Sequence, residues 1–452
     1  MGSWMTDGAS VRRSVPWIKV LILAFSIGLW MAFRHVAPVP DVAWLTEGAR
    51  RWMNGARLFV DVREVNPPLI FYEIVALSAG TTANQVFVGG VAVATAVSSL
   101  WVARHHGDML GLGTFVSIVF AGLVEFGQRD HLLLVFVVPY LLARGGRWER
   151  VLMGFWAFFG VGLKPHFLLV VALPALVEAW RDRKSLFEPQ KLALAGACVA
   201  YVIAAFLLYP AYFREMVPLA RETYTYGSAL PPFLLLESVA VAGAVLLADA
   251  ERRPFAAAAL GGLGSYYLQG RLWPYHFIPA AGLGMILCFW QRRLALWAVL
   301  LFAQAYLGPY RRGPQSPIPE GITRVVVLSV HPSAAYPTVT GCGATNETPW
   351  GSLGWVPGSW NIVTDLNKPT AERERAWNVL VRERARLRRL VQTTDTQLII
   401  ADISPRKAYF ERPFDYMQFL GPFPGFKPVR RVGRFELWAK GPVSTRLCKE
   451  RF

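Results

Sequence analysis

The chain has 452 residues; 54% are hydrophobic, 13% aromatic and 17% charged. Ordinary soluble domains carry about 25% charged residues, so this balance argues against a purely soluble protein and excludes disorder, collagen and disulfide-dense secreted modules. The formal net charge is still +17, and its distribution along the chain governs the reading that follows.

A helix crosses a bilayer core with roughly 20 apolar residues. Trp17–Phe33 is the first such stretch; Arg12 and Arg13 precede it and no small-residue cleavage site follows, so it reads as an anchor. Further apolar stretches run at about 84–103, 109–127, 131–143, 151–163, 166–180, 192–209, 232–248, 255–268, 275–290 and 294–308. Pro139, Pro165, Pro174 and Pro279 predict kinked or broken helices among them. The expectation is an α-helical polytopic membrane region of about eleven crossings.

Basic clusters recur at Arg12/Arg13, Arg104–His106, Arg144/Arg147/Arg150, Arg181/Arg183/Lys184, Arg252/Arg253 and Arg292/Arg293. All fall on one side if the N-terminus is cytoplasmic, as the positive-inside rule requires. The parity holds only if Pro67–Gly80 does not cross, so this segment reads as a re-entrant or interfacial helix within an outer loop, 36–83. Residues 1–309 form the membrane domain, and 310–452 read as a small outer α/β domain with 22 basic and 12 acidic residues. Val325–Val330, Leu398–Ile403 and Phe435–Ala439 pattern as strands, and Ala371–Val391 as a helix with Trp377, Leu380, Leu387 and Leu390 on one side. A bacterial plasma membrane with a periplasmic C-terminal domain is the expected setting.

Cys198 and Cys288 fall within apolar spans and read as packing residues, whereas Cys342 and Cys448 lie in the outer domain, where an oxidising compartment permits a disulfide. No CxxC, HExxH or paired Cys/His spacing occurs, so no structural zinc is expected.

Ionisable groups in or beside a membrane are costly to keep there, and each is a functional candidate. Asp41, in Pro38-Val39-Pro40-Asp41-Val42-Ala43-Trp44, is either a general base or the cap of the following helix, Asp41 to Trp52. Glu64 and Asn66 stand immediately before the double proline Pro67-Pro68, in a functional loop or a rigid solvated turn. Arg129, Asp130 and His131 crowd a very short loop, as substrate contacts or as an Arg–Asp pair pinning two helix ends. Lys164, His166, Arg271, Tyr275 and His276 fall where spans meet the outer interface; snorkelling is the alternative for Lys164 and Arg271, and packing for His276. Taken together, the acids suit activation of a hydroxyl nucleophile, and the cations with His276 suit a phosphate, which Arg binds with a planar fork. A phosphate reached through the membrane is attached to a lipid.

The order of these residues resembles a known family. Asp41-Val42-Ala43-Trp44, Asn54-Gly55-Ala56-Arg57-Leu58-Phe59 and Glu64-Val65-Asn66-Pro67-Pro68-Leu69 resemble the first outer loop of type-C membrane glycosyltransferases, with the bacterial relatives of protein O-mannosyltransferases and of lipid A aminoarabinose transferases as the nearest likeness. Gly162-Leu163-Lys164-Pro165-His166 and Arg271–His276 are similar to later motifs of that family. The chain departs from it where Val42 follows Asp41 in place of Glu, and where Asn66 replaces a Lys before the prolines. The resemblance covers about 1–310 and implies an inverting transferase that moves a sugar from a polyprenyl-phosphate donor to a lipid, glycan or protein hydroxyl. It implies Asp41 as the base or acceptor-orienting group. Glu64, Asn66, Arg129, Asp130, His131 and Tyr275 become substrate contacts, and Lys164, His166, Arg271 and His276 phosphate contacts. Some relatives hold a divalent ion, but no ligand spacing here defines one, and no cofactor is expected. Membrane lipids are the expected partners, and nucleic acid is not.

Two rival readings remain at this stage. A secondary transporter uses intramembrane charge and repeats, and no repeat stands out here. A lipid-linked polysaccharide ligase or polymerase shares the substrate class, but such enzymes usually carry one very large outer loop between late spans.

Overall fold

Runs of Leu, Val, Ala and Phe broken by Gly, Pro and basic pairs fix the helices of the first two-thirds of the chain. The computed structural model describes residues 16–34, 36–123, 125–224, 232–306, 315–404 and 409–449, without the side chains of 305 and 306. The basic pair Arg12/Arg13 lies outside the described residues. In chain order the helices are α1 (Pro16–Phe33), α2 (Pro40–Met53), α3 (Leu69–Leu77), α4 (Asn84–His106), α5 (Asp108–Gly122), α6 (Arg129–Leu141) and α7 (Arg147–Val161). They continue as α8 (Leu168–Arg181), α9 (Pro189–Leu208), α10 (Val217–Thr223), α11 (Pro232–Leu246), α12 (Arg253–Leu268), α13 (Ile278–Trp290) and α14 (Leu294–Tyr306).

A helix thus occupies each of the eleven apolar stretches. Three of them, α1, α4 and α9, are long and apolar enough to cross a membrane; shorter apolar helices lie at Asp108–Gly122, Pro232–Leu246, Pro274–Trp290 and Leu294–Gln304. α9 turns Val199, Val202, Ile203 and Phe206 outward, each more than half exposed, which leaves a large apolar face uncovered. α3 has nine residues, about 13 Å at 1.5 Å per residue, too short for a core of about 30 Å.

The two ends of the helix bundle differ chemically. At one end the basic loops meet: Arg104 pairs with Glu149 at 3.4 Å, Arg144 with Glu251 at 3.5 Å, and Arg181 donates to the Ala250 carbonyl at 3.0 Å. His106 lies 2.7 Å from the Leu142 carbonyl in the same layer. Asp41, Arg129, Lys164 and Arg271 gather at the other end.

The C-terminal region is built on a five-stranded mixed sheet: β1 (Arg324–Leu328), β2 (Thr345–Asn346), β3 (Leu398–Asp402), β4 (Lys427–Val432) and β5 (Phe435–Ala439), in the order β2-β1-β3-β5-β4. β1 runs parallel to β2 and β3, and β5 antiparallel to β3 and β4. β1 and β3 are buried along almost their whole length, which explains their unbroken Val and Ile runs. The helices here are α15 (Thr338–Gly341), α16 (Trp355–Thr364), α17 (Thr370–Thr393) and α18 (Tyr416–Leu420). α17 buries Leu380 and Leu387 as its pattern predicts, but Trp377 stays 45% exposed and lies off the buried stripe. Cys342 and Cys448 form a disulfide, while Cys198 and Cys288 are free. Asn346 is buried, with its Oδ1 accepting from the Val327 N–H at 3.3 Å.

Candidate functional site

Asp41 enters the site because of how α2 begins. Pro40 fills the first helical position, where a missing N–H costs nothing, and the cap position belongs to Val39. Asp41 is therefore not the cap that its position also suggested. Its Oδ2 accepts from Gln128 Nε2 and Arg129 Nη2, both at 3.3 Å, and 28% of the side chain remains exposed.

Gln128 caps α6, its side chain accepting from the Asp130 N–H at 3.1 Å, and this fixes Arg129 and Asp130 in the first turn. The two do not pair with each other, contrary to the ion-pair alternative. Arg129 turns to Asp41, and Asp130 accepts from Lys164 Nζ at 2.6 Å. Lys164 sits in the break between α7 and α8, where Pro165 opens a single 3-10 turn. It is buried on Asp130 and does not snorkel. The Tyr275 ring lies 5.7 Å from its Nζ. Arg271 stacks over Tyr224 at 4.2 Å and Trp273 at 5.2 Å, and donates to the Tyr224 carbonyl at 3.4 Å.

Longer-range interactions close the set. Arg129 is within electrostatic reach of Asp41, Tyr275, Glu64 and Asp130, and His276 of Lys164, His166, Arg129 and Arg271. The structure thus joins Asp41, Glu64, Arg129, Asp130, Lys164, His166, Arg271, Tyr275 and His276 from five separate stretches. Glu64 serves as a brace: Trp44 Nε1 donates to Oε2 at 2.6 Å, and the Asn66 N–H at 3.0 Å and side-chain amide donate to Oε1. Among the described residues, Asn66 joins the cluster through Glu64. His131 stands apart as a packing residue: it is fully buried, its ring centroid 4.9 Å from that of Phe126, and its Nδ1 accepts from the Gly127 N–H at 3.2 Å.

Several buried nitrogens in this cluster have no hydrogen-bond partner among the described residues: Nε and Nη1 of Arg129, Nε2 of His166 and Nδ1 of His276. Native structures rarely leave such groups unmatched, and nitrogens of this kind beside a lysine suit an anionic group, while Asp130 Oδ1 in the same cluster is likewise without a partner among the described residues. Among the described residues, no cluster of three or more His, Cys, Asp or Glu side chains is placed to hold a metal ion.

Gln128, Tyr224, Trp273 and Tyr409 belong to the same neighbourhood and were not singled out by the sequence. Tyr409 comes from the C-terminal region; its ring centroid lies 6.2 Å from that of Trp273, and it is within electrostatic reach of Asp41. Burial raises its hydroxyl above the usual range, so it stays a neutral donor. Nothing in its local sequence carries this signal, because the contact spans more than a hundred residues. Comparison with protein-family models and with curated proteins finds no match for this chain.

Proposed function

We propose that the chain is an inverting glycosyltransferase that moves a sugar from a polyprenyl-phosphate donor to an acceptor hydroxyl at the outer face of a bacterial plasma membrane. The observation that carries this reading is the meeting, at one end of the helix bundle, of Asp41 with Lys164 and with Arg129, whose Nε and Nη1 have no hydrogen-bond partner among the described residues. In the step, the acceptor O–H loses its proton to Asp41 Oδ1, the oxygen not held by Gln128 and Arg129. The acceptor oxygen forms a bond to the anomeric carbon from the face opposite the phosphate. The bond from that carbon to the phosphate oxygen breaks, and the lipid phosphate leaves with the electron pair. Lys164, Arg271, His166 and His276 hold that phosphate as charge builds on it. Tyr275 and Arg129 line the sugar between the two groups.

The same reading takes the eleven apolar helices as about eleven crossings with a cytoplasmic N-terminus. The basic loops at the opposite end of the bundle support that orientation, and a Cys342–Cys448 disulfide fits an oxidising side for the C-terminal region. Reporter fusions after residues 105 and 320 should report opposite sides.

The central test is Asp41→Asn in the full chain, assayed with the lipid donor identified by mass spectrometry of copurifying lipid. Transfer should fall by about a hundredfold or more with unchanged thermal unfolding. Wild-type transfer by that variant would overturn the mechanism.

A further inference from the structure

α17 is strongly basic, with seven arginines, three glutamates and no lysine in its 24 residues. Three of the arginines are engaged inside the fold. Arg384 lies over the Phe419 ring at 5.8 Å, Arg388 over Phe423 at 5.6 Å, and Arg386 pairs with Glu383 at 2.7 Å. Arg375, Arg382 and Arg389 differ from these in being exposed. Arg382 touches Glu383 at 3.5 Å while its side chain stays 58% exposed. Arg375 and Arg389 make no ion pair among the described residues.

These three stand seven residues apart. Seven residues advance a helix by about 10.5 Å and drift around it by only about 20°, so the guanidinium groups form one row about 21 Å long. Beside the row runs a second one of the same spacing, Ala371, Asn378 and Ala385, all exposed. It makes a low, nearly neutral shelf along the cations. Glu374, also exposed, stands on the far edge of that shelf. The exposed apolar pair, Trp377 and Val381, lies elsewhere, about 140° and 100° around the helix from Arg382. A helix that rests on a lipid surface instead lines its cations along an apolar face that enters the interface.

We propose that this face of α17 is a docking surface for a linear acidic polysaccharide with one carboxylate per disaccharide. Such a chain spaces its carboxylates at about the interval of the arginine row. The planar fork of each arginine suits a carboxylate, and the Asn378 amide can both donate to and accept from ring hydroxyls. The surface lies outside the Asp41 centre, and the proposal stands whether or not that centre transfers a sugar.

The test uses the full chain in phosphatidylcholine nanodiscs and a fluorescein-labelled hyaluronate hexasaccharide, followed by fluorescence anisotropy. Binding should be saturable and should weaken as salt is raised. Arg375→Gln/Arg389→Gln should weaken it by about tenfold or more with unchanged thermal unfolding, and Glu374→Gln should tighten it. Lys427→Gln/Arg431→Gln removes the same charge from exposed positions of β4 and should leave the affinity within about twofold of wild type. Absence of saturable binding would overturn the proposal. Equal losses in the two double variants would also overturn it, since the net charge of the region rather than the row would then hold the glycan. Displacement of the probe by dihexanoylphosphatidylglycerol at lower concentration than by unlabelled hexasaccharide would overturn it in favour of a lipid headgroup surface.

Discussion

Arg63 and Glu383, 320 positions apart in the chain, form an ion pair at 3.5 Å with side chains 1% and 0% exposed. Arg63 also donates to Glu215 at 2.7 Å and lies 4.8 Å from the Trp350 ring, so one guanidinium joins the loop after α2, the segment before α10, and α17. Arg63→Leu leaves Glu383 buried with Arg386, at 2.7 Å, as its nearest cation. Breaking a buried pair costs about 3–5 kcal/mol, and the remaining arginine puts this case near 3 kcal/mol. Thermal unfolding in nanodiscs measures it. The double variant Arg63→Leu/Glu383→Leu should lose less than the sum of the two single changes.

Arg271 separates charge from geometry in the phosphate reading. It is only partly buried and is held by stacking on Tyr224 and Trp273, so its loss should not unfold the chain. Arg271→Ala should reduce transfer by about a hundredfold, the usual scale for one lost anion-stabilising donor. Arg271→Lys keeps the charge without the planar fork and should fall between the two. Equal rates for Arg271→Lys and the wild type would remove bidentate contact from the mechanism.

Gly358 marks the place where α16 touches α10. A Cβ at this position would sit 1.5 Å from the Thr223 carbonyl oxygen, which is backbone and has no rotamer by which to retreat. Gly358→Ala should therefore cost about 3 kcal/mol, at the upper end for overpacking. A melting temperature equal to wild type would show that the two helices separate freely. The prediction is sharper than for Gly264, where the nearest atom is a Leu169 methyl at 3.4 Å.

Much of this arrangement was legible because it rests on local pattern. The unbroken apolar runs of β1 and β3, the heptad-like spacing of Leu380 and Leu387, and the prolines that interrupt the spans all act within a few residues. The convergence of Asp41, Arg129, Asp130 and Lys164 was suggested by their shared position at span ends, but the pairing was not: a sequence gives no reason for Arg129 to choose Asp41 over its neighbour Asp130. β4 escaped because Lys427-Pro428-Val429-Arg430-Arg431-Val432 is an exposed edge strand with a proline and three cations, which breaks the alternation. Tyr409 escaped because only tertiary packing brings it to Trp273.

The disulfide offers a test of both compartment and stability. Cys342 and Cys448 are 106 positions apart, and a loop of that size restricts the unfolded chain by about 4–5 kcal/mol on the chain-entropy account. Cys342→Ser/Cys448→Ser should lower the unfolding temperature, and a reductant should do the same to the wild type while leaving the variant unchanged. Mass spectrometry of the non-reduced chain, extracted with thiols blocked, should show the bridged peptide. Two free thiols would argue against an oxidising side for the C-terminal region.

Asp402 gives the C-terminal sheet a defined acid sensitivity. It is buried at the end of β3, accepting from Arg434 Nη2 at 2.7 Å and Nε at 3.2 Å, and from the Ser404 N–H at 3.0 Å. Burial alone raises its carboxyl, but the Arg434 and Ser404 hydrogen bonds outweigh it and hold the group below the usual range. A depressed carboxylate contributes stability that is fully present above the unfolded value of about 4, and that contribution is lost as pH falls through the lower folded value. Asp402→Asn should cost about 2 kcal/mol at pH 7, since hydrogen bonds to a charged acceptor are lost. The gap between wild type and variant in thermal unfolding should then hold steady from pH 7 to about 5 and narrow below about 4. A gap that stayed constant to pH 3 would mean that the charge on Asp402 does no work in the fold, and that Asp402→Asn acts through packing alone.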